Sequence, residues 1–251
     1  MLIETQNIAK GQYLKDIWTE LPSNAVIHKT LPGLGATTLE IESLRNSIII
    51  EPYVPVIDGK QKKHPDILGV RSGINKEHIK QYLRRDDIAY KKIIATPEAW
   101  DKIRSAFEEL DIDYKNEYFL LIDECEKLIQ DADFRPSITK PLADFWKFKN
   151  KSMISATTIP SHEKRLNSFR HIHINPTFDY TIKHILYLTN NIKGAVRDVM
   201  EDMLSPNSCF CFFINSADTI VSIMRMLGDE QNCKVFGSDT VVAKLNRMNY
   251  K

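Results

Sequence analysis

Residues 28–40 read HKTLPGLGATTLE, a stretch in which a glycine-containing loop separates an apolar segment from a helical pattern. If residues 24–30 form a strand and ATTLEIESL begins a helix, the loop lies at a strand-to-helix turn. Backbone N–H groups and the helix dipole favour an anion at such a turn. Gly33 and Gly35 would let the backbone approach a phosphate without an intervening Cβ atom. The stretch therefore predicts either a phosphate-binding loop or a simple glycine-containing αβ turn.

The loop departs at two positions from the phosphate-binding pattern G-x-x-x-x-G-K-[ST]. Thr30 stands where the pattern has its first glycine, and Ala36 stands where it has its lysine. Thr37, followed by Thr38, occupies the place of the hydroxyl residue that ligates magnesium. Lys29, directly before the loop, is a candidate substitute for the missing cation.

Short apolar segments alternate with helical patterns through most of the chain. The predicted strands are NAVIHKT (24–30), NSIIIEP (46–52), YKKIIAT (90–96), EYFLLIDE (117–124), NKSMISAT (150–157) and FRHIHINP (169–176). The predicted helices are TTLEIESL, NKEHIKQYLRR, PEAWDKIRSAFEEL and the segment around PLADFWKF. Continuous apolar strands separated by helices are typical of a parallel sheet with helices on both faces. The predicted fold class is therefore α/β.

The alternation stops near NPTFDYT (175–181) and then restarts. The later segments are HILYLT, KGAVRDVMEDML, SCFCFFIN, ADTIVSIMRML and CKVF. We therefore predict a first domain over residues 1–178 and the opening of a second α/β domain over residues 179–251. At about 70 residues, this second unit is too short to be a complete doubly wound domain.

The segment EYFLLIDECEKL ends an apolar strand in two adjacent acids. Four apolar residues, 119–122, run directly into Asp123 and Glu124. A central parallel strand delivers such side chains to its carboxyl edge, where ligands of open α/β sheets bind. Asp123 is predicted to hold magnesium, and Glu124 to orient or deprotonate an attacking water. The alternative is a strand that ends in solvated acids.

The segment SMISATTIP (152–160) places a hydroxyl-rich turn after another predicted strand. Its hydroxyl groups are expected to hydrogen-bond the neighbouring acidic strand end. Such a bond would couple the state of the bound nucleotide to the binding of the partner. The residues assigned to this coupling are Ser155 and Thr157. The alternative is that both side chains only cap a helix.

Taken in chain order, these segments resemble the first RecA-like domain of superfamily 2 helicases. The family's nucleotide loop, Pro-containing loop, Thr-Pro turn, DExx box and Ser-Ala-Thr box correspond to PGLGATT, SIIIEP, IIATPEAW, LLIDECE and SATTIP. The segment CFCFFINSADTIVSIMRML is similar to the opening of the family's second RecA-like domain. The resemblance covers about residues 20–240.

The resemblance implies ATP and Mg²⁺ as ligands of the loop and the acidic pair. The implied nucleotide-binding residues are Lys29, Thr30, Gly33, Gly35, Ala36, Thr37 and Thr38. Thr37 and Asp123 would be the metal ligands, and Asp123 and Glu124 the catalytic acids. The family touches a nucleic-acid backbone at positions that correspond here to Pro52, Thr96 and Pro97.

The longest stretch without clear periodicity, residues 53–73, carries a basic cluster. Its lysines, Lys60, Lys62 and Lys63, are candidate contacts to nucleic-acid phosphates, which would position a strand without reading its sequence. The alternative is a solvated loop. The expected partner is nucleic acid, DNA rather than RNA.

Composition excludes several other function classes. The formal net charge of +1 gives no overall electrostatic attraction to nucleic acid or membrane, so any such contact needs a local patch. No apolar run approaches the ~20 residues of a membrane span, and the N-terminal residues lack a signal-peptide pattern. The four cysteines (Cys125, Cys209, Cys211 and Cys233) lie mainly in apolar segments, which indicates buried thiols and a cytoplasmic location.

Three functional hypotheses remain open on the sequence. The leading one is a nucleic-acid-dependent ATPase or translocase of helicase type with an altered phosphate loop. A second is a catalytically inactive helicase-like module that binds nucleic acid or a partner protein, and a third is another P-loop NTPase that uses Lys29. The Arg-rich box of the helicase second domain has no counterpart here, so we expect the chain to be part of a longer protein.

Overall fold

One sheet of eight parallel strands forms the centre of the first part of the chain. The computed structural model describes residues 2–133, 135–157, 164–180, 191–202, 214, 216–227 and 247. The strands are β1 (Leu2–Ile8), β2 (Ala25–Lys29), β3 (Ser47–Ile50), β4 (Leu68–Val70), β5 (Lys92–Ala95), β6 (Phe119–Ile122), β7 (Asn150–Ser155) and β8 (Arg170–Pro176). Their order across the sheet is β1-β8-β2-β7-β6-β3-β5-β4, and all neighbours pair in parallel.

Helices follow most of the strands. In the first part of the chain they are α1 (Ala36–Glu42), α2 (Val54–Lys63), α3 (Lys76–Leu83), α4 (Trp100–Glu109), α5 (Tyr114–Glu117), α6 (Lys127–Gln130) and α7 (Lys140–Phe145). Short 3₁₀ helices occur at Leu14–Asp16, Pro97–Ala99, Pro136–Thr139 and Lys164–Ser168. No helix in the described ranges combines the length and the apolar character that a membrane crossing requires.

Each face of the sheet is covered by a separate apolar cluster. On one face, Ile48 and Ile50 pack in a cluster with Trp100 and Phe107, and this cluster includes residues of α3, α4 and α7. On the other face, Ile49 packs in a cluster with residues of α1 and α2. Successive residues of a strand point to opposite faces, so a sheet covered on both faces needs continuous apolar strands. The prediction of an α/β fold with a parallel sheet and helices on both faces is confirmed, and the all-parallel sheet is consistent with the RecA-like type.

All six predicted strands are present, as β2, β3 and β5–β8. Strands β1 and β4, helix α2 and the four-residue helices α5 and α6 were not predicted. Strand β1 is an edge strand, and only Ile8 of its seven residues is buried. Helix α2 buries only Ile57, so its apolar periodicity is weak. Strand β4 has three residues with Gly69 at its centre. The aperiodic appearance of residues 53–73 therefore reflects a sparsely buried helix and a very short strand.

The chain divides into two units, Met1–Thr181 and Ile182–Lys251. In the second unit, α8 (Ile192–Asp202) and α9 (Ala217–Leu227) are helical and contact each other. They correspond to the predicted helices KGAVRDVMEDML and ADTIVSIMRML. The segments HILYLT and CKVF, and all of SCFCFFIN except residue 214, lie outside the described residues. The second RecA-like domain and the boundary at residue 178 remain predictions.

A buried polar network fixes the far end of α1 at the amino edge of the sheet. The Glu40 side chain is fully buried, and its Oε2 lies 2.6 Å from Arg45 Nη2. Lys92 at the start of β5 donates to the Glu40 carbonyl oxygen (2.6 Å) and to Ser43 Oγ (2.8 Å). Burial lowers the pKa of Lys92 to about 8. Because α1 runs from the carboxyl edge to this network, the network also constrains the position of its first turn.

Replacement of Glu40 tests this anchor. Glu40→Gln leaves Arg45 and Lys92 without their buried counter-charge, and we expect the free energy of unfolding to fall by about 3–5 kcal/mol in urea titrations. The matched control is the exposed Glu42 on the same helix. Glu42→Gln should change the free energy of unfolding by less than ~0.5 kcal/mol. Similar effects of the two variants would contradict the anchoring role.

Candidate functional site

The loop between β2 and α1 turns at two glycines. Gly33 and Gly35 have φ values of 75° and 82°, in the left-handed region where other residues are strained. A Cβ atom added to Gly33 would meet nothing within 4 Å, and one added to Gly35 would lie 3.7 Å from Tyr13 Cδ1. Backbone conformation, and not lack of space, therefore requires glycine at both positions. Gly35 is the N-cap of α1, and Ala36 is the first residue of the helix.

The first turn of α1 is joined to the end of β6. Thr37 Oγ1 donates a hydrogen bond of 2.6 Å to Asp123 Oδ2, and both side chains are buried. Strand β7 lies between β2 and β6 in the sheet, so the segment that follows β2 crosses over the end of β7 to make this bond. The structure thus brings the glycine loop and the acidic strand end to one place on the carboxyl edge of the sheet.

Lys29, the last residue of β2, points into the same place. Its Nζ lies 2.8 Å from Glu124 Oε1 and 3.4 Å from Asp123 Oδ1, and its side chain is only 7% exposed. Burial acts to lower the pKa of Lys29, but the charges of Asp123 and Glu124 and their hydrogen bonds outweigh it and raise this pKa. Lys29 is therefore a charged counterion of both acids.

Glu124 has an unusual backbone conformation for a non-glycine residue. Its φ is 46°, in the left-handed region. The Glu124 N–H donates to Asp123 Oδ1 at 3.0 Å, and the Glu124 side chain is 25% exposed. The turn after β6 thus buries the carboxylate of Asp123 and leaves that of Glu124 in contact with solvent.

A third carboxyl group, Glu51, lies beside the acidic pair and is not among the site residues predicted from the sequence. Glu51 directly follows β3, is buried, and accepts a hydrogen bond from the Tyr53 N–H at 3.1 Å. Burial, and then the charge of Asp123, raise its pKa to about 8. The segment SIIIEP carried the relevant signal, because it ends an apolar strand in an acid as LLIDE does.

These groups line a pocket of about 510 Å³. The glycine loop and the first turn of α1 form one wall, and the carboxyl groups form another. Tyr13, Tyr53 and Val56 contribute apolar surface. The lysines that line the pocket are Lys15, Lys29 and Lys60. The sequence did not predict Tyr13 or Lys15 as pocket residues. Both lie well before the loop in the sequence and come close to it only in the folded protein.

The three lysines of the basic cluster occupy different surroundings. Lys60 lines the pocket, and its Nζ donates to Thr38 Oγ1. Lys62 and Lys63 are exposed on the same helix, α2. The structure therefore separates Lys60 from the other two lysines with which the sequence had grouped it.

The hydroxyl-rich turn after β7 is bonded to the segment that follows β6. Ser155 Oγ donates to Glu126 Oε2 at 2.6 Å, and the Thr157 N–H donates to Ser155 Oγ at 2.8 Å. The acid that receives the bond is Glu126, which the sequence reading had not singled out. This link runs from the central strand between β2 and β6 to the same turn that carries Asp123 and Glu124.

The residues predicted to border a nucleic-acid groove are placed at the same sheet edge. Pro52 follows β3, and Thr96 and Pro97 follow β5. All three are buried, and the Thr96 N–H donates to the Val70 carbonyl oxygen at 3.2 Å. Thr30, at the start of the loop, donates from its hydroxyl to the Ile174 carbonyl oxygen at 2.8 Å, which ties the loop to β8.

Three histidines cluster on the face of β2 opposite to the one from which Lys29 projects. His28 stacks on His173 with ring centroids 4.5 Å apart, and His28 Nε2 lies 3.2 Å from His171 Nδ1. Burial, followed by the two neighbouring imidazoles, lowers the pKa of His28 to about 4. Within the described ranges, no group of three or more His, Cys, Asp or Glu residues is arranged to hold a metal ion. Cys125 is a buried free thiol, and the other three cysteines lie outside the described residues.

Neither known protein families nor curated proteins give a match to this chain.

The raised pKa of Glu51 predicts a specific pH dependence of stability. Between pH 4.5 and 8 the folded protein keeps a proton on Glu51 that the unfolded chain releases, so the free energy of unfolding falls as pH rises through this range. Glu51→Gln is neutral at every pH and removes this contribution. We expect the variant to exceed the wild type by roughly 1–4 kcal/mol at pH 8 and to match it near pH 4.5. Urea titrations at a series of pH values measure this difference.

Glu42→Gln, at an exposed position, serves as the control for the loss of one carboxyl group. A constant offset between Glu51→Gln and the wild type across the pH series would contradict the assignment of a neutral Glu51 in the folded protein.

Proposed function

We propose that this protein binds a nucleoside triphosphate with Mg²⁺ in the pocket at the carboxyl edge of the sheet, and that it is a helicase-like, nucleic-acid-dependent ATPase. The observation that carries the proposal is the hydrogen bond between Thr37 Oγ1 and Asp123 Oδ2. It places a hydroxyl from the phosphate-type loop and a carboxylate from the acidic box side by side. The motif order along the sequence supports the same assignment.

The oxygen atoms at this place suit magnesium. Mg²⁺ prefers carboxylate and hydroxyl oxygen ligands and is commonly held by one or two carboxylates together with substrate phosphates. Thr37 and Asp123 are the residues that would hold it. The chemistry that the ion supplies is neutralisation of charge on the phosphate oxygens.

The glycine loop and the pocket lysines suit a phosphate chain. The left-handed conformations of Gly33 and Gly35 keep side chains off the loop, so its backbone is open to a close approach by phosphate oxygens. Ala36 provides no cation, but Lys29 and Lys60 bring two ammonium groups to the pocket from other elements. The pocket therefore contains positive charge even though the loop lacks the lysine of the pattern.

Glu124 is the residue that we assign to the attacking water. Its carboxylate lines the pocket and retains contact with solvent, so a water molecule can reach it. The Lys29 ammonium, 2.8 Å away, holds this carboxylate at the edge of the pocket, and a carboxylate is a group that can accept a proton from water. Asp123, more deeply buried, is left for the metal.

Coupling to nucleic acid is assigned to the link between Ser155 and Glu126. This link joins the end of β7 to the turn that carries the acidic pair, so it would carry a displacement of one element to the other. The exposed Lys62 and Lys63 are candidate contacts to the sugar–phosphate backbone. We assign DNA as the partner and the cytoplasm as the location, following the motif resemblance and the cysteine usage.

A second candidate function is a catalytically inactive helicase-like module that binds nucleic acid or a partner protein. The observation that favours it is the engagement of Lys29 by both acids, because a lysine held in this way is not free for phosphates. In that case the pocket would be a former nucleotide site, and the alanine at position 36 would account for the absence of ATP hydrolysis.

ATP hydrolysis in the presence of single-stranded DNA distinguishes the two candidates. For the ATPase, we expect turnover that DNA stimulates and that falls roughly 10²–10³-fold in Asp123→Asn, since the carboxylate charge at the metal is lost. Asp86→Asn, at an exposed position remote from the pocket residues in sequence, should retain wild-type turnover. A phosphate-release assay measures both variants.

DNA binding without ATP turnover, and without an ATP-dependent rise in melting temperature, would favour the inactive module. Turnover that is unaffected by Asp123→Asn would contradict the assignment of this pocket.

A further inference from the structure

Lys60 differs from the other pocket lysines in what it contacts. Lys29 lies against two carboxylates, at 2.8 Å and 3.4 Å. The Lys60 ammonium donates to the neutral hydroxyl of Thr38, and within the described ranges it forms no ion pair. Burial, and then the charge of Lys63, lower the pKa of Lys60, and carboxylates beyond ion-pair distance, Asp123 foremost, offset this only in part. A half-buried ammonium group without a carboxylate partner is poorly compensated, and an anion in the pocket would compensate it.

The position of Lys60 relative to the loop is set by α2. Its hydrogen-bond partner, Thr38, lies in the first turn of α1, two residues after Ala36. The ammonium group therefore reaches the same turn in which the phosphate-binding pattern carries its lysine, but it arrives from a different helix. Ile57, one turn earlier on α2, is buried in the apolar cluster of this face and orients the helix.

The packing of α2 on β4 depends on Gly69. A Cβ atom at this position would lie 2.6 Å from Gln61 Oε1 and 2.9 Å from Ile57 Cγ2. A larger residue in this short strand would force the Gln61 and Ile57 side chains of α2 to shift, because such distances are below van der Waals contact. Gly69 thus allows the close approach of the helix that carries Lys60 next to the pocket.

We propose that Lys60 binds the phosphate chain of the nucleotide and takes the place of the lysine that Ala36 lacks, while Lys29 remains the counterion of Asp123 and Glu124. This inference rests on the proposed nucleotide site and adds the identity of its phosphate-binding cation. Lys60 is therefore assigned to the pocket and not to the nucleic-acid surface. The ligand group that it recognises is a polyphosphate, without regard to the base.

The test compares binding of Mg–ATP and of inorganic tripolyphosphate by calorimetry. Lys60→Met should raise the Kd of both ligands by the same factor, about 10–100-fold, because a charge-assisted contact to phosphate is lost and the base plays no part in it. Lys60→Arg, which keeps the charge, should bind both ligands within a few-fold of the wild type. The matched controls are Lys10→Met and Lys149→Met, which remove the same charge from exposed positions outside the pocket lining and should leave both Kd values within twofold.

Several outcomes would overturn the inference. Wild-type affinity in Lys60→Met would show that Lys60 does not contact phosphate, and an equal loss in all three methionine variants would indicate a general effect of net charge. An equal loss in Lys60→Met and Lys60→Arg would indicate a packing role, which thermal unfolding of both variants would reveal. If the wild type binds neither ligand, the proposed nucleotide site itself fails, which is distinct from a failure of the Lys60 assignment alone.

Discussion

The hydrogen bond between Thr37 and Asp123 is the interaction on which the arrangement of the pocket depends. It exists because parallel strands direct their carboxyl ends to one edge, so that the loop after β2 and the turn after β6 meet there. The Glu40 network holds the other end of α1 at the opposite edge. Helix α1 is therefore fixed at both ends, and the glycine loop that precedes it has a defined position relative to the acidic pair.

The balance of charge explains how so many ionisable groups share one small volume. Three carboxyl groups and three lysines line the pocket. The raised pKa of Glu51 leaves this group uncharged near neutral pH. Lys29 lies against the other two carboxyl groups of the pocket, those of Asp123 and Glu124. Lys15 and Lys60 then make the pocket positive as a whole. Such a surplus favours an anion over a free cation as the first ligand to bind.

The sequence was sufficient to predict the sheet but not the full set of residues at its edge. Strands β3, β5 and β6 were predictable because they are apolar runs that the sheet buries on both faces. Strands β2, β7 and β8 include polar residues but still bury apolar side chains at their centres. Strand β1 is largely exposed and helix α2 buries a single side chain. Neither sequence therefore shows a clear hydrophobic periodicity. The loop and the acidic pair were recognisable as local patterns.

The neighbours of that pair required the strand order, which local patterns do not contain. Glu51 comes close to Asp123 because β3 pairs with β6, although a long stretch of sequence separates the two strands. Lys60 was grouped with Lys62 and Lys63 as a surface cluster, since a helix with one buried residue gives no indication of which lysine faces inward. Ser155 was expected to contact the acidic strand end, but only the geometry of the turn identifies Glu126 as the acceptor.

The left-handed backbone of Glu124 has a consequence for the way this protein can change. Glycine or asparagine would adopt this conformation at a lower energetic cost, and the lower backbone strain would favour the folded state. Either replacement would also remove the carboxylate that faces Lys29 and the solvent. Stability and chemistry are therefore in conflict at one residue, and a glutamate there is the choice that favours chemistry.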